Sequence, residues 1–116
     1  MTVRRLQHVS IAVPRDQAES CVPFYTDVLG MERIPNLAGL IWFRFGDGDH
    51  IHLMEGEPNV DSTHFAVQVD DLEATLERAR QAGLPAEESD NLWGSPRWFV
   101  RDPVGNRIEL FASPPD

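Results

Sequence analysis

The chain has 116 residues, 41% of them apolar and 25% charged, which is ordinary for one globular domain. Its 19 acidic residues outweigh 10 basic ones, and the net charge of −9 disfavours nucleic acid and anionic membranes as partners. The one cysteine, Cys21, is expected to be a buried helix residue without a disulfide, and no membrane-length apolar run or signal-peptide pattern is present. These features predict a cytoplasmic protein.

Four strands are predicted in the first half of the chain. LQHVSIAV, from Leu6 to Val13, alternates with period two, and its β-branched face should pack on a helix while His8 lies on the other face. A short strand is expected near Glu32 to Ile34. LAGLIWFRF and HIHLM predict two more strands, and the GDGD sequence between them has the composition of a hairpin turn.

The helix of the first half lies between the first two of these strands. Asp16 followed three residues later by Glu19 matches a capping box. The helix is expected to reach about Leu29 and to stop at Gly30. Pro23 lies inside it, which predicts a kink or a break.

The second half repeats this order of elements. THFAVQV alternates again, with His64 on the face away from the helix. Asp70 with Glu73 matches a second capping box, and the helix should end at Gly83. A polar loop follows from Leu84 to Pro96. Two further strands are predicted after it, from Arg97 to Arg101 and from Arg107 to Ala112.

The two halves align with one nearly constant offset, which slips by a single position at a hairpin. His8 matches His64, Trp42-Phe43 matches Trp98-Phe99, and Ile51-His52-Leu53 matches Ile108-Glu109-Leu110. This predicts an α+β fold of two βαβββ modules forming a cupped mixed sheet, with module one at about 5–55 and module two at about 62–113.

Four possible metal ligands occupy equivalent positions in the two modules. If the sheets form one curved sheet, they converge: His8, His52, His64 and Glu109. Three imidazoles and a carboxylate suit Zn²⁺, Fe²⁺, Ni²⁺, Co²⁺ or Mn²⁺. The alternative is unrelated polar residues on a solvated face, but their symmetric placement favours metal binding. His50 is the rival of His52, since both point the same way, and the repeat favours His52.

These segments resemble the vicinal oxygen chelate superfamily, which includes glyoxalase I, extradiol dioxygenases and bleomycin-resistance proteins. The similarity rests on LQHVSIAV, FYTDVLGME, HFAVQVDDLEATLERARQAG and WFVRDPVGNRIELF, and it covers nearly the whole chain. It implies paired βαβββ modules around a divalent metal ion, with ligands at His8, His52, His64 and Glu109. His52 departs from glyoxalase I, which has a glutamate there.

The resemblance leaves three functions open. The first is a metal-dependent lyase or isomerase acting on a small substrate that chelates through vicinal oxygens, with Glu109 as the catalytic proton-transfer residue. The second is an extradiol-type dioxygenase, and the third is a bleomycin-resistance-like binding protein without catalysis. Candidates for the substrate pocket are Trp42, Arg44, Trp93 and Trp98. Open sheet edges predict a homodimer, with the cup formed within one chain or between two.

Overall fold

A computed structural model, described here over residues 2–35, 39–89 and 95–112, contains two mixed four-stranded sheets with one helical segment each. The strands of module one are β1 (His8–Val13), β2 (Glu32–Ile34), β3 (Ile41–Phe45) and β4 (Asp49–Glu55). Their order across the sheet is β1-β4-β3-β2, and β1 runs parallel to β4. No helix in the described ranges is both long and apolar enough to cross a bilayer.

The strands of module two are β5 (His64–Gln68), β6 (Ala86–Glu88), β7 (Arg97–Arg101) and β8 (Arg107–Phe111). They repeat the topology of module one in the order β5-β8-β7-β6, and β5 runs parallel to β8. The predicted βαβββ repeat is confirmed, and the loop expected over Leu84 to Pro96 contains the short strand β6. The first strands of the modules, β1 and β5, are edge strands of separate sheets.

The register places the single-position slip earlier than the sequence alignment does. Trp42 lies opposite His52, and Phe99 lies opposite Glu109. Phe99 is therefore the structural equivalent of Trp42, and the alignment of Trp42 with Trp98 is wrong by one residue. The reason is that strand side chains alternate, so a shift of one position moves a residue to the opposite face of the sheet.

The first helical segment changes its pitch along its length. It begins as a 3₁₀ turn at Arg15–Gln17, continues as α1 (Ala18–Pro23) and ends as a π turn at Phe24–Val28. The change follows Pro23, which lacks an N–H and crowds the preceding turn, so the predicted disturbance is confirmed. The capping box is not formed, because the residue before the first turn is Pro14 and no side chain caps it.

The second helix, α2 (Leu72–Gln81), is capped one residue later than predicted. The Asp71 carboxylate accepts a hydrogen bond from the Ala74 N–H at 3.0 Å, so the capping residue is Asp71 and not Asp70. The helix ends as expected at Gly83, whose φ of 75° is in the left-handed region. There the Leu84 N–H reaches back to the Ala79 carbonyl at 3.0 Å, which is the pattern of a Schellman motif.

The helical segments of both modules share one core with the inner faces of the two sheets. The fully buried side chains come from both modules and include Tyr25, Phe43, Leu76, Ile108 and Leu110. Cys21 is buried as predicted, and burial, reinforced by the charge of Asp102, raises the pKa of its thiol to about 11. The thiol is therefore protonated and inert at neutral pH.

A buried polar junction joins the modules at the Asp-Pro-Val-Gly-Asn turn. The Tyr25 hydroxyl donates to the Asp102 carboxylate at 2.7 Å, and the Asn106 amide donates to the Ala12 carbonyl of β1 at 2.9 Å. Asp102 also accepts from the Asn106 backbone N–H at 2.8 Å. Gly105 is required because a Cβ there would lie 2.8 Å from a methyl carbon of Val60. The turn therefore holds module two against module one.

Replacing Tyr25 with phenylalanine should weaken this junction. Tyr25 is 0% exposed and Asp102 is 2% exposed, so the carboxylate would lose a donor in a place that water does not easily fill. We expect the free energy of unfolding in urea to fall by about 1–3 kcal/mol. Ser20→Ala is the matched control, since it removes an exposed hydroxyl bonded to the Gln17 carbonyl, and equal losses in both variants would contradict the junction's role.

Candidate metal and ligand site

Module one carries a cluster of aromatic and imidazole rings on the sheet face opposite the core. The strand register places His8 beside His50, and His52 between Ser10 and Trp42. The His8 and His52 ring centroids are 4.6 Å apart, and Trp42 stacks on His52 at 4.5 Å. The structure therefore brings together the first-module ligands that the sequence predicted.

The imidazole of His52 is buried and neutral in this cluster. The side chain is 5% exposed, and burial, followed by the charge of His8, lowers its pKa below the ordinary value. His52 Nε2 lies 3.1 Å from the Ser10 hydroxyl. Its Nδ1 is buried with no hydrogen-bond partner in the described part of the chain, as are Nδ1 of His50 and Nε1 of Trp42. Such buried polar atoms require a ligand, an ion or water.

Module two carries the second predicted pair at the equivalent place. His64 Nε2 lies 3.5 Å from Glu109 Oε1, and Phe99 meets the His64 ring edge-on at 4.9 Å. His64 Nδ1 donates to the Ser62 carbonyl at 2.8 Å, just as His8 Nδ1 donates to the Gln7 side chain. A ring protonated only at Nδ1, as these bonds favour, keeps its Nε2 lone pair for a ligand.

Glu109 meets a cation that the sequence analysis did not name. Arg97, on β7, forms an ion pair with the second carboxylate oxygen, Oε2. Both side chains are buried, and the Arg97 guanidinium also stacks on the Phe111 ring at 4.3 Å. The register explains the contact, because Arg97 lies directly opposite Phe111 and shares a sheet face with Glu109. The cost of burying the carboxylate is therefore offset without a metal ion.

The two pairs do not combine within one chain. Across residues 2–35, 39–89 and 95–112, no group of three or more His, Cys, Asp or Glu side chains is placed to hold a metal ion. A cavity of about 850 Å³ between β1 and β5 is lined by His8 and His50, but neither His64 nor Glu109 is among its lining residues. Each module thus provides half of the predicted four-donor set.

The four predicted pocket residues do not share one location. Trp42 belongs to the histidine cluster, whereas Arg44 is exposed and ion-paired with Glu32 at 2.9 Å. Trp98 lies on the opposite face from Glu109, beneath Arg80 of α2 at 5.9 Å. Trp93 lies outside the described residues. Sequence reasoning also did not find Ser10, Arg97 and Phe99, whose positions depend on the strand register.

Each pair of donors on adjacent strands is called a half-site here. The spacing of the donors in the module-two half-site suits a divalent ion. Two ligand atoms at about 2.1 Å from one ion lie roughly 3.0–3.4 Å apart. The His64 Nε2 to Glu109 Oε1 distance of 3.5 Å is close to that range. Arg97 holds Oε2 and leaves Oε1 for an ion, an arrangement in which ligating carboxylates are commonly supported. The donor pair of module two therefore fits part of a metal site.

Paired βαβββ modules with donors on their first and last strands define a class of proteins that bind small ligands on a sheet face. The family model of the Glyoxalase/Bleomycin resistance protein/Dioxygenase superfamily matches residues 5–110, and the chain belongs to that superfamily. A search of curated proteins gave no significant match.

Solved structures share this fold over nearly the whole chain. A protein assigned to the glyoxalase family of Bacillus anthracis is 26% identical with a TM-score of 0.84, covering 97% of this chain and 98% of its own. The lactoylglutathione lyase of Agrobacterium tumefaciens is 22% identical with a TM-score of 0.76, covering 97% and 96%. TnmS3, an antibiotic binding protein from Streptomyces sp. CB03234, is 21% identical with a TM-score of 0.74, covering 100% and 99%.

Replacing Arg97 should reveal the free-energy cost of burying the Glu109 carboxylate. Arg97→Gln leaves Glu109 without its cation, and we expect the free energy of unfolding of metal-free protein to fall by about 3–5 kcal/mol. The double variant Arg97→Gln/Glu109→Gln should recover part of that loss, because no uncompensated charge remains. Chemical denaturation of all four combinations measures the coupling, and strictly additive losses would show that the pair is not coupled.

Proposed function

We propose that this protein is a divalent-metal enzyme of the lyase or isomerase type, acting on a small substrate that chelates through vicinal oxygens. The metal site is proposed to form between two copies of the chain. The His8–His52 pair of one protomer and the His64–Glu109 pair of the other then supply the four ligands. The observation that carries the proposal is the pair of electron donors, His64 Nε2 and Glu109 Oε1, facing each other at 3.5 Å.

A cation between His64 Nε2 and Glu109 Oε1 would satisfy two facing lone pairs. His64 Nδ1 donates to the Ser62 carbonyl, so a ring protonated only at Nδ1 presents its Nε2 lone pair to Glu109. Arg97 is already committed to the other carboxylate oxygen. A divalent ion satisfies both lone pairs, and His8, with the same Nδ1 arrangement, offers an equivalent Nε2 in module one.

Edge strands support assembly between copies. His8 stands on β1 and His64 on β5, and both strands are edges of their sheets with exposed histidines. Unpaired strand edges invite pairing with another chain. In a two-fold dimer, β1 of one copy would lie beside β5 of the other. Such a dimer would form two identical sites, each with four donors. The ion could be Zn²⁺, Fe²⁺, Ni²⁺, Co²⁺ or Mn²⁺.

In such a site the bound ion would polarise the substrate oxygens and stabilise negative charge that develops on them. The chain's own residues orient the substrate and move the proton. Trp42 offers a stacked ring and an indole N–H that needs an acceptor. Glu109 is the proposed proton-transfer residue, and Arg97 orients its carboxylate through Oε2.

Four protein ligands favour lyase or isomerase chemistry over oxygen insertion. A six-coordinate ion with four protein donors keeps two positions, which suffices for a bidentate substrate but not for that substrate and dioxygen together. Extradiol-type chemistry therefore requires His52 to be absent from the ligand set. His52 is the deciding residue, because removing it leaves an open set of three ligands.

One observation favours a second candidate, a bleomycin-resistance-like binding protein without catalysis. Arg97 already compensates Glu109, so the buried carboxylate does not by itself require a metal ion. In that function the unpartnered Nε1 of Trp42 and Nδ1 of His52 would hydrogen-bond the ligand directly. Metal content separates the two candidates.

Complementation between defective chains tests the shared metal site. His8→Ala and His64→Ala homodimers should each lose metal, because each variant breaks both sites. Mixed dimers of the two should recover one intact site per dimer, measured as metal content after co-expression and purification with two different tags. Glu109→Gln should lose metal and His50→Ala should retain it. In solution, the wild-type protein is expected to have twice the 13.1 kDa mass of the chain. If metal-free wild-type protein takes up no divalent ion, the proposal is wrong.

The reaction type is tested by oxygen consumption. Wild-type protein loaded with Fe²⁺ should consume no oxygen with catechols or 2-oxo acids, because two open positions do not accommodate both the substrate and dioxygen. His52→Ala should bind metal more weakly. Stoichiometric oxygen uptake by the wild type with a catechol would assign dioxygenase chemistry instead, and unchanged metal affinity in His52→Ala would remove His52 from the ligand set.

A further inference from the structure

Arg107 is an unusual cation in this acidic chain. It lies on β8, on the same sheet face as Glu109 and directly opposite His64 on β5. Its guanidinium stacks over the Phe99 ring at 3.5 Å from the centroid. Within the described ranges it forms no ion pair or hydrogen bond, whereas Arg15, Arg33 and Arg44 each pair with a glutamate. Its charge is therefore held in place but not neutralised.

A second guanidinium group stands directly opposite it. Arg101 on β7 is the cross-strand partner of Arg107 on β8. Arg101 donates to the backbone carbonyls of Gly105 at 2.8 Å and Val60 at 3.2 Å, and the described residues give it no carboxylate partner. Like charges directly opposite in a sheet are destabilising. In a chain of net charge −9, this placement is not explained by a shortage of acidic residues.

We propose that Arg107, supported by Arg101, binds an anionic group of the ligand, a carboxylate or a phosphoryl group, beside His64 and Glu109. The inference deepens the proposed function, because the anion would be a substituent of the substrate held at the module-two half-site. Anion binding itself requires no metal ion. The site therefore selects a small anionic ligand over a neutral one.

The stacked arrangement of Arg107 suits this role. Arginine stacked flat on an aromatic ring keeps the edge of its planar group free for two parallel hydrogen bonds to an anion. Phe99 contacts both Arg107 and His64, at 3.5 Å and 4.9 Å, so the ring sets the position of the cation relative to the proposed metal ligand. Glu87 on β6 lies on the same face but is exposed and forms no ion pair in the described chain.

The test measures anion binding by protein stripped of metal with a chelator. Backbone amide shifts of His64 and Arg107 are followed by NMR during titration with inorganic phosphate and, separately, with succinate. Saturating shifts are expected in the wild type, and Arg107→Gln should weaken binding by at least about tenfold, since it removes a charge-assisted bidentate contact. Arg107→Lys, which keeps the charge but loses the planar group, should fall between the two.

Arg15→Gln is the matched control, because it removes one positive charge from a surface ion pair in the other module and should bind anions as the wild type does. Saturation by phosphate alone or by succinate alone supports the site and distinguishes the phosphoryl from the carboxylate source. Unchanged affinity in Arg107→Gln, or no saturating shift with either anion, overturns the proposal.

Metal uptake by Arg107→Gln is measured in parallel. Retained metal uptake with lost anion binding supports both proposals. Anion binding at Arg107 in a protein that takes up no metal leaves the anion site standing while the proposed enzyme function fails. If the wild type takes up metal but binds neither anion, the anion site is overturned and the proposed enzyme function still stands.

Discussion

The buried carboxylate of Glu109 imposes the main constraint on the functional face of this protein. An ionised carboxylate between Ile108 and Leu110 is stable only if positive charge or hydrogen-bond donors meet it. Arg97 meets one oxygen from the neighbouring strand, and this leaves the second oxygen pointing toward His64. The arrangement satisfies the fold and keeps one donor atom available for a ligand, so stability and the proposed function depend on the same ion pair.

A second constraint is that the two modules contact each other through their cores and not through a continuous sheet. The Tyr25–Asp102 and Asn106–Ala12 hydrogen bonds fix the modules against each other. Burial, and then the charge of Asp102, raises the pKa of Tyr25 well above its ordinary value, so the phenol remains a donor at neutral pH. With the modules held in this way, β1 and β5 remain sheet edges and the donor pairs stay separate, which is why the proposed site needs a second copy.

The two sheet faces are chemically unlike although their topology is the same. Module one presents indole and imidazole rings, with Trp42 stacked on His52, whereas module two presents arginine and carboxylate groups around Phe99. A site formed from both faces would combine the planar, hydrogen-bonding rings of module one with the proposed anion-binding surface of module two. In the proposed function, this asymmetry suits a small, oxygen-rich anionic ligand. The superfamily fold by itself does not distinguish between ligands, since one fold carries many chemistries.

The sequence alone determined the repeat, the βαβββ order, most strand boundaries and the pairing of His8 with His52 and of His64 with Glu109. These follow from local alternation of apolar and polar residues and from internal similarity, which are properties of short segments. The caps were less predictable. Asp71 rather than Asp70 caps α2, because two adjacent acidic residues precede the helix and the backbone conformation decides which one accepts from the Ala74 N–H. Only the tertiary structure decided that Arg97 meets Glu109, that Phe99 and not Trp98 faces the site, and that the donor pairs lie apart. Each of these depends on strand register and module packing, where a shift of one residue reverses the face that a side chain occupies.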